Sequence, residues 1–235
     1  MQKISADGLL NSINHPLLPP WDWLFSDTDL RQVHFLELWN DLYWPGNATA
    51  NPKAVEMWTK WLNAGYRITA IGGSDYHYPP RPEEYKFGER LGMPSTYVYA
   101  QELSTTGILD ALRKRRAYVT KGLELDFKAK ANGTTYQMGA DLGAQSRIID
   151  FTVTIPYQPK TINIQLVKNG VVIAQEKTKG RDISIQFQHK IDAATSEWLR
   201  LDVTDKDGDV LAVTNPFFVG PSKKTDRYRY MGFKP

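Results

Sequence analysis

The sequence predicts an α/β part followed by an all-β part. Up to about residue 122, short apolar runs alternate with helical stretches, which is typical of a parallel α/β sheet or barrel. Beyond that point, period-two strands are separated by turn dipeptides, and roughly seven strands in about 100 residues fit an antiparallel sandwich. We therefore predict an α/β domain over residues 1–122, a β-sandwich over 123–220 and a C-terminal tail over 221–235.

The first predicted helix spans residues 51–65 of the α/β part. Asn51 can cap its N-terminus, Pro52 suits the first helical position, and Gly65 suits the left-handed position after the last turn. Apolar residues at helical spacing define the face that we expect to be buried: Val55, Trp58 and Leu62.

A second helix is predicted over residues 104–116, with Ser104 as its N-cap and a cluster of cations at its C-terminal end. Short apolar runs of the same part are predicted strands, because they are bounded by turn residues and lie between the helices. These strands are residues 8–13, 33–39, 67–71 and 96–100.

The all-β part carries a clear hairpin signal at Asn169 and Gly170. These two residues separate two runs of alternating polarity, and an Asn-Gly pair supplies the positive φ angles of a type I′ turn. We therefore predict a two-residue hairpin at this position.

Composition and charge exclude several classes of protein. The chain has 235 residues, a formal net charge of +3 and no cysteine, which excludes disulfides and thiolate metal sites. Its basic residues cluster only at 113–116 and in the tail, without an aromatic platform, so we expect no nucleic-acid partner. No apolar run approaches membrane length and no signal peptide is present in this chain, so we expect a soluble protein without a membrane partner. The compartment stays open.

Polar side chains able to bind a metal follow three of the predicted strands. His15 follows the first strand, Asp41 ends the second, and Asp75 and His77 follow the third. In parallel α/β folds the carboxyl ends of the strands converge on one face, so these residues could meet. Imidazole nitrogens and carboxylate oxygens are ligands of zinc, manganese and iron, although the same residues could equally be hydrogen-bonded loop residues.

An aromatic cluster around residues 19–25, with Trp39, Tyr43 and Trp44, has two interpretations. The rings could line a binding cleft beside the polar residues, or they could pack the interior. The sequence leaves both open.

Four segments, in this order, carry a resemblance to a known family: SINHP at 12–16, LELWN at 36–40, GYRITAIGGSDYHYP at 65–79, and residues 91–122. Together they resemble the C-terminal half of a PHP (polymerase and histidinol phosphatase) domain, in the branch of phosphoesterase-like proteins that includes carbaryl hydrolase. Members of that branch often carry a β-sandwich that ends in a segment similar to VTNPFFVG at 213–220.

The resemblance implies the C-terminal half of a distorted (β/α)7 barrel followed by an antiparallel β-sandwich. It implies His15, Asp75 and His77 as metal ligands, Asp75 and His77 as catalytic residues, and a divalent cofactor, zinc, manganese or iron. The implied activity is metal-dependent hydrolysis of a small phosphoester, or of a carbamate, amide or ester. Glu37 lies in a shared segment, without an assigned ligand role.

The chain also departs from the family. The H-x-H motif with which the family's barrel begins has no counterpart before His15, and about 120 residues are available for a barrel that needs roughly 200. We therefore expect a truncated hydrolase, weakly active or inactive, with an exposed barrel edge through which the chain could form a homo-oligomer. The alternative is a non-enzymatic protein, a degenerate barrel attached to a carbohydrate- or protein-binding β-sandwich.

Overall fold

The computed structural model describes residues 8–77, 91–144, 147–192, 194–223, 225–226 and 228–230. The chain forms two compact units: unit 1 is Met1–Thr96 with Lys224–Pro235, and unit 2 is Tyr97–Lys223. The predicted domain boundary near residue 122 stays a prediction, because compactness within the folded chain does not test where an independently folding domain ends.

Unit 1 contains a parallel sheet of three strands in the order β1-β2-β3: β1 (Ser12–Ile13), β2 (Phe35–Asn40) and β3 (Thr69–Gly73). All six residues of the central strand β2 are buried, as expected of a parallel strand covered on both faces. The register pairs Ile13 with Leu36 and Asn40 with Gly73, so the three strands run towards one edge of the sheet.

Helix α1 (Asn47–Asn63) packs against β2 and supplies much of the core of unit 1. Its buried residues recur every three or four positions, which places them on one face of the helix. The indole N–H of Trp58 donates to the Ile68 carbonyl over 2.9 Å, which satisfies a polar group in a fully buried side chain. The apolar stripe consists of Ala54, Met57, Trp58, Trp61 and Leu62.

The predicted N-cap of this helix at Asn51 is wrong by five residues. The N-cap is Gly46, and Pro52 lies inside the helix rather than at its first position. Asn51 does not cap the helix, because its side chain is used elsewhere: it bonds to the backbone of Asn40 at the end of β2.

Residues 228–230 return to unit 1, far along the chain from the residues that they contact. Asp29 and Arg229 form an isolated β-bridge, next to the short 3₁₀ helix Leu30–Gln32. The Tyr230 side chain is buried, its hydroxyl donates to the Pro16 carbonyl over 3.0 Å, and its ring meets Trp61 edge-on.

Most of unit 2 is one large sheet. The strand order is β4-β5-β11-β10-β8-β6-β7, with β12 paired to β10 and β9 paired to β8, and the pairs among β5 to β12 are antiparallel. Helix α2 (Thr105–Arg113) follows β4 and precedes β5 along the chain. Neither described α-helix is long and apolar enough to cross a membrane. The strands are β4 (Ser95–Val98), β5 (Ala117–Thr120), β6 (Asp126–Ala131), β7 (Thr134–Gln137), β8 (Arg147–Lys168), β9 (Val171–Ile191), β10 (Glu197–Asp205), β11 (Val210–Thr214) and β12 (Phe217–Val219).

This sheet curls back on itself in the manner of a β-sandwich. The long strand β8 pairs with β6 through residues 150–154 and with β10 through residues 162–168, so its two halves belong to different parts of the sheet. The two parts enclose one core, in which Phe127 of β6 and Phe151 of β8 meet Phe217 of β12 with ring centroids 5.2 and 5.6 Å apart.

The predicted half of a (β/α)7 barrel is wrong. In the described part of the chain the parallel sheet has three strands, and the predicted fourth barrel strand, β4, joins the sheet of unit 2 beside β5. A barrel closes through a continuous series of paired parallel strands, and in the described residues that series ends at β3. The predicted homo-oligomer contact through an exposed strand edge stays a prediction.

Candidate functional site

The three predicted site residues line one cavity of unit 1, which we call the strand-end cavity. It has a volume of about 500 Å³, and His15, Asp75 and His77 form part of its wall. They meet there because His15 follows β1 and Asp75 follows β3, and parallel strands present their carboxyl ends at one edge. The remaining lining residues are Leu18, Trp21, Asn40, Asp41 and Trp44.

Asp75 and His77 form a carboxylate–imidazole pair on this wall. His77 Nε2 lies 3.0 Å from Asp75 Oδ1, and the two side chains are 69% and 40% exposed. Asp75 has a φ of +47°, a left-handed conformation uncommon outside glycine that tends to occur at functional positions. An exposed pair of this kind can accept a hydrogen bond from a ligand or exchange a proton with it.

The tautomer of His15 follows from its hydrogen bond. His15 Nδ1 lies 2.9 Å from the Trp21 carbonyl oxygen, which can only accept, so Nδ1 carries the hydrogen. In the neutral ring, Nε2 is then the nitrogen with a lone pair that can accept a hydrogen bond or bind a metal. His15 also has a positive φ, +34°, so two of the three predicted site residues share the left-handed conformation.

Glu37 holds the backbone of His15 in place. Its Oε2 accepts from the His15 N–H over 2.6 Å and from Asn40 Nδ2 over 3.4 Å. Burial raises the pKa of the Glu37 carboxyl above its ordinary value, and the bonds from His15 and Asn40 oppose that shift. The sequence assigns no role to Glu37, and the structure places it as a support for His15.

Helix α1 fixes the end of β2 through two asparagines. Asn51 Oδ1 accepts from the Asn40 N–H and Asn51 Nδ2 donates to the Asn40 carbonyl, over 3.2 and 2.9 Å. Asn47 Nδ2 donates to Asn40 Oδ1 over 3.1 Å and to the Asp41 carbonyl over 2.9 Å. Sequence reasoning missed these contacts, although two asparagines four residues apart soon after a strand end were a usable signal.

The structure divides the aromatic cluster between the two interpretations. Trp21 and Trp44 line the cavity with their ring centroids 5.7 Å apart, at an interplanar angle of 69°. They are 53% and 45% exposed, whereas Trp39 is buried, and Trp23 packs edge-on against Phe25. The strand-end cavity therefore has an aromatic rim and a polar wall.

The donor atoms of this cavity do not form a three-ligand metal site. Across the described ranges, no group of three or more histidine, aspartate or glutamate side chains could hold a metal ion. Asp75 and His77 supply two adjacent donors, and His15 adds Nε2 elsewhere on the wall. The metal and catalytic roles of these three residues stay predictions.

No family model matches the chain, and no curated protein matches it. Among solved structures, it is similar to the CARDB domain of the PF1109 protein from Pyrococcus furiosus, in complex with di-metal ions, at TM-score 0.25 and 10% identity, over 40% of this chain and 88% of that one. A lytic polysaccharide monooxygenase from Jonesia denitrificans has TM-score 0.25 and 10% identity, over 38% of this chain and 63% of that chain. A beta-glucosidase from Listeria innocua has TM-score 0.24 and 14% identity, over 80% of this chain and 30% of that chain. TM-scores this low carry no argument about fold or function.

Proposed function

We propose that the strand-end cavity binds a small hydroxyl-rich ligand of the carbohydrate type. The observation that carries the proposal is the combination of two exposed tryptophan rings, Trp21 and Trp44, with the polar side chains Asp41, Asp75 and His77 in one cavity. The electron-rich faces of aromatic rings attract C–H groups, and carboxylate and imidazole groups exchange hydrogen bonds with hydroxyls. A concave site with an apolar wall and a few polar groups is the usual form of a small-molecule site.

The aromatic rim and the polar wall are joined by hydrogen bonds. The Trp21 carbonyl accepts from His15 Nδ1, and the Trp21 N–H donates to the Leu18 carbonyl over 2.8 Å. Asp41 Oδ1 accepts from the Tyr43 N–H over 3.0 Å, next to Trp44. Groups held in this way lose little freedom when a ligand binds, which favours affinity.

The test is calorimetric titration with a panel of neutral mono- and disaccharides. We expect at least one sugar to bind, and Trp21→Ala and Trp44→Ala to weaken that binding by about tenfold or more. Tyr157→Ala is the matched control, because Tyr157 has the same exposure as Trp21, 53%, and lies outside the cavity in unit 2. Unchanged affinity in both tryptophan variants, or no binding across the panel, would contradict the proposal.

A second candidate is metal-dependent hydrolysis of a phosphoester, carbamate, amide or ester, which the resemblance to the PHP superfamily implies. It is favoured by the presence of His15, Asp75 and His77 in one cavity. A divalent metal ion would supply an activated water molecule. Because the described donors do not form a three-ligand set, we derive no catalytic step from this chain.

Metal content by plasma mass spectrometry tests the second candidate, on protein purified without a histidine tag or chelator. Metal-dependent hydrolysis requires one or more equivalents of zinc, manganese or iron in the wild type and their loss in Asp75→Ala. The metal should be kept in the control variant Asp27→Ala, because the Asp27 side chain is 80% exposed. Equal metal content in the wild type and Asp75→Ala would refute it. Sugar binding that persists after dialysis against a chelator would separate the two candidates.

A further inference from the structure

Unit 2 has a cavity of its own, which we call the tyrosine cavity. It has a volume of about 470 Å³, and its lining includes Tyr97, Tyr99, Tyr118, Glu124 and Asp126. These residues come from β4, β5, the start of β6 and the segments next to them, so the cavity depends on sheet pairing rather than on one sequence motif.

The three tyrosines form an aromatic cluster, and backbone groups hold two of its hydroxyls. The ring centroid of Tyr118 lies 5.4 Å from that of Tyr97 and 6.0 Å from that of Tyr99. The Tyr99 hydroxyl donates to the Leu125 carbonyl, and the Tyr118 hydroxyl accepts from the Leu125 N–H over 3.0 Å. Because backbone groups occupy the hydroxyls of Tyr99 and Tyr118, these two residues offer a ligand mainly the surface of their rings.

The polar part of the lining is acidic. Glu124 is exposed beside the cavity, and Asp126 Oδ1 is buried without a hydrogen-bond partner among the described residues. The other oxygen, Asp126 Oδ2, forms an ion pair with Lys128, which is not part of the lining. The Asp126 side chain is 30% exposed, so its negative charge, together with that of Glu124, acts on the cavity.

The negative charge of the lining residues therefore favours a positively charged ligand. The lining residues include two carboxylates and no lysine, arginine or histidine in the described part of the chain. Aromatic rings attract cations through their electron-rich faces, and a carboxylate next to them adds a charge-assisted hydrogen bond.

We propose that the tyrosine cavity binds a small organic ammonium ion with an aromatic or alkyl body. The body packs against Tyr97, Tyr99 and Tyr118, and the ammonium group is attracted by the carboxylates of Asp126 and Glu124. This site is separate from the strand-end cavity and does not depend on its function.

The test compares phenethylammonium with its neutral counterpart 2-phenylethanol by calorimetry on the full chain. We expect the cation to bind about tenfold or more tightly than the alcohol, and Asp126→Asn to remove that preference. Asp150→Asn removes the same charge from the neighbouring strand β8, outside the cavity, and should keep the preference. Equal affinity for the two compounds, or equal loss in the two variants, would overturn the proposal.

Lys128→Gln gives a test of the opposite sign. Removing the ammonium that competes for Asp126 should strengthen phenethylammonium binding severalfold, a gain that a misfolded variant would not show. Tyr97→Leu should weaken it severalfold while keeping an apolar side chain on β4. No binding of phenethylammonium to the wild type, or weaker binding in Lys128→Gln, would reject the assignment.

Discussion

Glu37 links the backbone geometry of the strand-end cavity to the interior of unit 1. It is 6% exposed, and its carboxylate accepts from the backbone of His15, a residue with positive φ. Burial is the largest influence on its pKa, which lies above the ordinary value. The protonated carboxyl is therefore favoured more in the folded chain than in the unfolded one.

We predict that Glu37→Gln reduces the pH dependence of stability. Because the folded pKa is raised, the stability contributed by Glu37 is fully present below the unfolded pKa and is lost as pH rises through the folded pKa. The glutamine keeps an acceptor for the His15 N–H and does not ionise, so that loss should be absent. The free energy of unfolding in urea, measured at several pH values between about 4 and 7, gives this loss of stability for the wild type and the variant.

The control for this prediction is Glu56→Gln, which removes an exposed carboxylate from α1. The control should retain the wild-type decline in stability. If wild type and Glu37→Gln have parallel stability curves across this range, the raised pKa of Glu37 does not contribute to folding.

At the scale of elements, local torsion angles set the turns, and contacts with other parts of the chain set the limits of α1. Asn169 and Gly170 have φ angles of +51° and +91° and join β8 to β9, with Lys168 paired to Val171, so the predicted hairpin is confirmed. The predicted N-cap of α2 is also confirmed, because Ser104 Oγ accepts from the Gly107 N–H over 3.0 Å. The predicted start of α1 is wrong, because the Asn51 side chain bonds to the backbone of Asn40 at the end of β2 instead of capping the helix.

We predict that Gly170→Ala destabilises the chain by about 1–2 kcal/mol, because an L-residue pays a steric cost in the left-handed conformation. Asn169→Asp is the control: aspartate tolerates this conformation and retains an oxygen that can accept from the Trp198 N–H, as Asn169 Oδ1 does over 2.9 Å. The measurement is the free energy of unfolding in urea. A Gly170→Ala variant as stable as the wild type would show that the turn tolerates a side chain.

At the scale of the molecule, residues 228–230 pack into unit 1 and complete its core. Tyr230 is buried to 1% exposure, with its ring 6.1 Å from Trp61 and its hydroxyl on the Pro16 carbonyl. The Tyr230 N–H donates to the Thr28 carbonyl over 2.9 Å. Unit 1 therefore combines Met1–Thr96 with a short segment from much later in the chain.

We predict that Tyr230→Ala destabilises unit 1 by about 3–5 kcal/mol, since it empties an aromatic position in the core. Tyr230→Phe removes only the hydroxyl and its bond to Pro16, and should cost about 1 kcal/mol. Hydrogen exchange at the amides of α1, which carries Trp61, measures both effects. Unchanged protection of α1 in Tyr230→Ala would show that the C-terminal segment does not stabilise unit 1.

The sequence by itself determined the features that depend on neighbouring residues: the Asn169–Gly170 turn, the Ser104 cap, and the positions of His15, Asp75 and His77 after strands. Their physical cause is local, in allowed torsion angles and side-chain periodicity. Only the tertiary structure decided that β4 joins the sheet of unit 2, that Tyr230 closes unit 1, and that three tyrosines meet Asp126 in one cavity. These depend on which distant surfaces bury the most apolar area together, which neither segment specifies alone.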